Sequence, residues 1–122
     1  MKERVLIALG GNALLTVNDK GTVEEQLKHV EDTCVKFIEI IQEGYHIAVT
    51  HGNGPQVGSI LLKNEMCQEK LPPMPLDVCG AESQGQIGYM IQRLLQNKLK
   101  LAEIKLPVIS VLTQVLVDRN DD

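Results

Sequence analysis

Apolar residues fall along this chain in two patterns, and the switches between them predict its elements. Over residues 2–9 the run Val5-Leu6-Ile7-Ala8-Leu9 is nearly continuous, as in a central parallel strand covered on both faces. From Val23 the apolar positions recur in steps of four and three, through Leu27, Val30, Cys34, Phe37 and Ile41, which is the stripe of a helix laid on a sheet. Thr22 followed three residues later by Glu25 has capping-box spacing, and Gly44 suits the position just past the helix end. Residues 45–50 read as a second strand, which runs into Gly52-Asn53-Gly54. Pro55 then suits the first turn of a second helix, where its missing N–H costs nothing; this helix should run to about residue 69 with Val57, Ile60, Leu61 and Met66 inward.

Leu71-Pro72-Pro73-Met74-Pro75 is a rigid extended connector, because each proline fixes its own backbone and pushes its predecessor out of helical geometry. Residues 77–100 have the length of a long helix with Asp77 as its cap, while Glu82, Ser83 and Gln84 either serve the same end or face a crevice. Gly80, Gly85 and Gly88 lie inside it and each costs about 1 kcal/mol relative to alanine. They imply either close approach by another helix or a ligand, or a break near Gly85. Residues 107–117 read as a third strand. Strand, helix, strand, helix, helix, strand is the order of an α/β fold, an open parallel-sheet sandwich with helices on both faces. Ligands of such sheets bind at the carboxyl ends of the strands.

Composition narrows the classes. With 122 residues there is room for one domain; 43% hydrophobic and 23% charged residues are ordinary for a soluble protein. Aromatic residues make up 2% and the formal net charge is −4, which leaves neither stacking platforms nor a basic face for nucleic acid. No apolar stretch reaches membrane-spanning length, and the opening run is too short for a signal-peptide core. Cys34, Cys67 and Cys79 are odd in number and widely spaced, so neither a disulfide framework nor a metal site is indicated, and a cytoplasmic setting is expected.

The candidate chemistry lies in the two glycine turns. Each follows a strand, so Gly10-Gly11-Asn12 and Gly52-Asn53-Gly54 are expected at one edge of one sheet. A strand, tight turn and helix start leave backbone N–H groups aimed outward at the positive end of a helix dipole, a seat for phosphate or carboxylate. Neither turn is a Walker A loop and neither has dinucleotide-binding spacing, so anion contact rests on backbone amides. His51 reads as a strand-end hydrogen-bonder more readily than an acid or base, and His29 and His46 read as surface residues.

Taken together, residues 8–14 (Ala-Leu-Gly-Gly-Asn-Ala-Leu), 50–58 (Thr-His-Gly-Asn-Gly-Pro-Gln-Val-Gly), Met74-Pro75-Leu76-Asp77, Ser83-Gln84-Gly85, Ile87-Gly88-Tyr89 and Leu112-Thr113-Gln114 with Val117-Asp118 resemble the carbamate kinases of the amino-acid kinase family. Relatives acting on acetylglutamate or aspartate typically carry lysine two residues before the first glycine pair; Ala8 stands there, which favours the carbamate branch. The resemblance implies phosphoryl transfer between ATP and carbamate, run in arginine metabolism from carbamoyl phosphate and ADP toward ATP, with Mg2+. It implies catalytic donors at Gly10, Gly11 and Asn12, substrate-binding donors at Gly52, Asn53 and Gly54, and a homodimer joined along the helix at 77–100. Family members are much longer, so residues 1–122 are expected to be the N-terminal, carbamoyl-phosphate-binding half, with the nucleotide-binding half absent and no kinase activity alone. A non-catalytic anion-binding or interaction module, or another small-molecule kinase of the superfamily, are the alternatives.

Overall fold

In the computed structural model, which describes residues 3–10, 13–118 and 120, the two strand-like runs pair with each other. β1 (Arg4–Leu9) and β2 (His46–His51) form a two-stranded parallel ladder in register from Arg4 opposite His46 to Leu9 opposite His51. Successive strand residues point to opposite faces, so Ile7, Leu9, Ile47 and Val49 share one side. Against that side lie α1 (Val23–Gln42) and α3 (Leu76–Leu101), whose Val30, Cys34 and Phe37 meet Ile87, Met90, Leu95 and Leu99 to form the core. α2 (Gly54–Cys67) packs on α3. Among the described residues no helix covers the other side of the ladder, and Leu6 there is 69% exposed.

α1 begins as its sequence dictates. Glu25 N–H donates to Thr22 Oγ1 and Thr22 N–H donates to Glu25 Oε2, closing the capping box. It ends with Gly44 at φ +100° while the N–H groups of Gly44 and Tyr45 return to the carbonyls of Ile41 and Ile40. α3 ends with the same pair of bonds, from Glu103 to Lys100 and from Ile104 to Leu99, but with Glu103 in the left-handed position at φ 58°. α3 starts at Leu76 after Pro75 at φ −68°, ψ 161°, without a side-chain cap, so Asp77 is not the cap expected of it; it lies in the first turn, where its charge favours the helix dipole. The helix passes Gly85 unbroken. Met66, expected inward on α2, is 77% exposed.

The third strand expected at residues 107–117 does not form. That stretch is extended but joins no ladder; Leu106 O, Val108 N–H and O, and Thr113 N–H and O instead bond to side chains of α3. Gln84, Gly88, Gln92 and Gln96 lie four apart and make one ridge. Gln96 donates from Nε2 to Leu106 O at 3.1 Å and accepts at Oε1 from Val108 N–H at 3.0 Å. Gln92 donates to Val108 O at 2.9 Å, and Gln84 accepts from Thr113 N–H at 2.8 Å and donates to Thr113 O at 3.2 Å. The amide side chains thus present the donor and acceptor that a neighbouring strand would. Gly88 is the gap in the ridge: Ser110 Oγ donates to Gly88 O at 3.0 Å, and a Cβ on Gly88 would stand 3.0 Å from that oxygen. The close approach inferred for this glycine comes from the extended segment, whereas at Gly80 and Gly85 a Cβ would meet nothing within 4 Å.

Candidate functional site

The parallel register decides where the glycine turns go. Leu9 and His51 are opposite each other, so Gly10 and Gly52 leave adjacent strands at the same level and on the same edge of the ladder. Gly11 and Asn12 lie outside the described residues; beyond them Ala13 N–H donates to Gly10 O at 3.0 Å.

The second turn is fully described. His51 Nδ1 lies 3.0 Å from Gly52 O, so its Nδ1–H tautomer braces the turn, the hydrogen-bonding role expected of it. Asn53 is the N-cap residue of α2 at φ −143°, ψ 8°, yet its side chain makes no capping bond. Pro55 has no N–H, and Val57 N–H closes the first helical turn on Asn53 O at 2.9 Å. The N–H groups of Asn53, Gly54 and Gln56 therefore take no partner among the described residues, at the positive end of a helix whose first turn carries no acidic side chain. Such an end draws an anion.

Behind this helix end lies a polar network that the apolar stripe did not disclose. Gln26 and Gln56 are 6% and 4% exposed, and Gln26 Oε1 accepts from Gln56 Nε2 and Gln86 Nε2, each at 3.3 Å, while Gln26 Nε2 donates to Gly21 O at 3.0 Å. Three helices and the β1–α1 loop meet at one amide. Gln26 falls between Val23 and Val30 at an inward spacing, which was the available signal. Beside the network is a cavity of about 330 Å³ that Lys20, Lys63, Gln26 and Gln56 help to line.

The loop itself is pinned by Asp19. Thr16 N–H and Thr16 Oγ1 donate to Asp19 Oδ2 at 2.6 and 2.8 Å, and His29 Nε2 is 2.9 Å from the same oxygen. Those Thr16 bonds, and secondarily His29, hold the Asp19 carboxyl below its ordinary value. His29 is therefore a partner of the loop rather than a free surface residue.

A larger groove of about 620 Å³ runs between β2 and residues 106–111, floored by Ile91, Leu95 and Leu99. Its walls are mainly apolar and it offers little to a small dianion, so the turns and not the groove are the candidate site. Among the described residues no group of three His, Cys, Asp or Glu could hold a metal, and no helix is long and apolar enough to cross a membrane.

No family model matches the chain. Individual relatives do: it is 50% identical to a carbamate kinase of Pyrococcus horikoshii, with 99% of this chain aligned, and 44% identical to carbamate kinase 1 of Enterococcus faecium, with all of it aligned. Among solved structures, a carbamate kinase from Giardia lamblia bound to AMP-PNP superposes with a TM-score of 0.91 at 43% identity over 98% of the chain, and another Giardia carbamate kinase structure with 0.94 at 42% over 99%. In both of these curated relatives the chain spans 39% of the length. The α/β fold with a parallel sheet is thus shared with carbamate kinases.

Proposed function

We propose, from the premise that this chain is related to carbamate kinases over its whole length and spans about two fifths of theirs, that the complete protein moves a phosphoryl group between carbamoyl phosphate and ADP. The observation that carries this is the pairing of Leu9 with His51, which starts both glycine turns from one edge beside an uncapped helix end.

In the ATP-forming direction an oxygen of ADP attacks the phosphorus of carbamoyl phosphate, the bridging P–O bond breaks and carbamate leaves. Carbamate is an oxygen anion already, so neither direction asks this chain for a general base. Catalysis then rests on holding two mutually repelling anions in line and neutralising charge on the transferring group. The N–H groups of Gly52, Asn53, Gly54 and Gln56, with those of Gly10 and Gly11 and the side chain of Asn12, are the donors assigned to the carbamoyl-phosphate end. N–H groups without a partner among the described residues, at Asn53, Gly54 and Gln56 of a helix end with no acidic side chain in its first turn, fit a phosphate. Mg2+, bound with nucleotide, would supply charge neutralisation on the phosphates.

The nucleotide site belongs to the remaining length that the relatives possess. A homodimer through α3 and a cytoplasmic location complete the reading. The test is a coupled assay with carbamoyl phosphate, ADP and Mg2+. The complete protein is expected to make ATP at an ordinary kinase rate, about 1–100 per second, and residues 1–122 alone to make none. Turnover at that rate by the 122-residue chain, or none by the complete protein, overturns the proposal.

A further inference from the structure

Ser83 is polar, sits on α3 and is 0% exposed, and no step above uses it. Its hydroxyl proton is committed, because Oγ donates to Gly80 O at 2.6 Å within its own helix. Its lone pairs can only accept, and they take Asn53 Nδ2–H at 2.8 Å from thirty positions earlier in the chain. That polarity fixes the amide of Asn53: the NH2 faces Ser83 and Oδ1 is turned from it.

An asparagine at an N-cap ordinarily turns its side-chain oxygen onto the second or third N–H of the helix. Here the second is Pro55 and has none, so the only such donor is Gln56 N–H, and Asn53 does not reach for it. We propose that Ser83 is a positioning residue that holds the Asn53 side chain off the start of α2 and thereby keeps Gln56 N–H open to a phosphate oxygen. Ser83 touches no substrate in this scheme. It converts the residue best suited to cap the helix into one that leaves it uncapped, and it ties the 52–54 turn to α3. The inference rests on the reading of that helix end as the phosphate seat, but its structural half can be tested without any ligand.

The experiment uses the 122-residue chain with isotope-labelled amides, Ser83→Ala, and Ser83→Ala combined with Asn53→Gly. Alanine nearly matches serine in volume and is the better helix former, and the circular dichroism of each variant verifies that α3 persists. Released from Ser83, Asn53 Oδ1 is expected to cap Gln56, slowing hydrogen exchange at that amide about fivefold, the population factor of an ordinary side-chain cap. Inorganic phosphate, read from the shifts of the Asn53, Gly54 and Gln56 amides, is expected to bind about fivefold more weakly. Both effects should revert to within about twofold in the double variant, where glycine keeps the backbone N–H but has no side chain to compete. A merely structural role for Ser83 predicts no such rescue, so failure of the double variant to recover overturns the inference. Unchanged Gln56 exchange in Ser83→Ala overturns it as well. If Ser83→Ala loses α3, the same readings on Ser83→Thr, which keeps the acceptor, must match the natural chain for the inference to stand. Phosphate leaving all three amides of the natural chain unmoved removes the phosphate-seat reading instead, while Gln56 exchange still decides what Ser83 does.

Discussion

Replacing Gln96 by methionine asks whether residues 104–113 are held by side-chain amides in place of a β-ladder. The change keeps length and helix propensity nearly constant, so α3 itself should be unaffected. It deletes the donor to Leu106 O at 3.1 Å and the acceptor for Val108 N–H at 3.0 Å, leaving Gln92 and Gln84 to hold the segment farther along. Both bonds are solvent-exposed, so each contributes about 0.5–1 kcal/mol net, at the low end of the range for protein hydrogen bonds. Their loss removes about 1–2 kcal/mol from local closure, a factor of about 5–30 in the opening equilibrium at 1.4 kcal/mol per decade. Native-state hydrogen exchange reads this directly: Val108 N–H should exchange about 5–30-fold faster, Thr113 N–H less so because Gln84 still accepts from it, and the β1 and β2 amides not at all. Unaltered exchange at Val108 would refute the reasoning. So would equal acceleration across the strands, which would mean that the substitution acted on the whole fold.

Four further outcomes follow from particular contacts. Ile87→Ala, at a fully buried core position, should cost about 2–5 kcal/mol in urea unfolding because the cavity cannot collapse between α1 and α3. Glu103→Gly should stabilise by about 1 kcal/mol, since Glu103 occupies at the end of α3 the left-handed position that Gly44 occupies at the end of α1; a lower unfolding midpoint would contradict this. Burial pushes the Cys34 thiol up to about 11 from 9.0, so a maleimide at pH 7–8 should label exposed Cys67 and spare Cys34. Because the folded chain holds that proton more tightly, the Cys34 contribution is intact below pH 9 and is lost as pH rises from about 9 to 11, a fall that Cys34→Ser should reduce in alkaline unfolding curves.

Much of the fold was legible because its signals are local. The capping box at Thr22 and Glu25, the glycine at position 44, the stripe of α1 and the strand-to-turn junctions at Gly10 and Gly52 each express one short-range rule, and each is found at its place. Residues 107–117 were misread for a reason outside their own sequence. Val108, Ile109, Val111 and Leu112 have the character of a strand, but the groove separates residues 106–111 from β2, and the segment bonds instead to the side-chain amides of Gln84, Gln92 and Gln96. Asp77 was misassigned because Pro75 already supplies extended geometry one residue before Leu76. At the candidate site the turns were readable from glycine and proline. The buried Gln26 amide and the Asn53–Ser83 bond were not, since they join residues thirty or more positions apart and are specified only once three helices pack together.

The central claim is that the two turns at the ends of β1 and β2 form one anion seat. Titrating the amide-labelled chain with carbamoyl phosphate tests it most directly, because each turn carries its own reporters. The account predicts that Gly10, Gly52, Asn53 and Gly54 shift together along a single saturation curve while the amides in the last turn of α2 stay still. Movement at residues 52–54 with Gly10 unaffected, or two curves with separate midpoints, would contradict it.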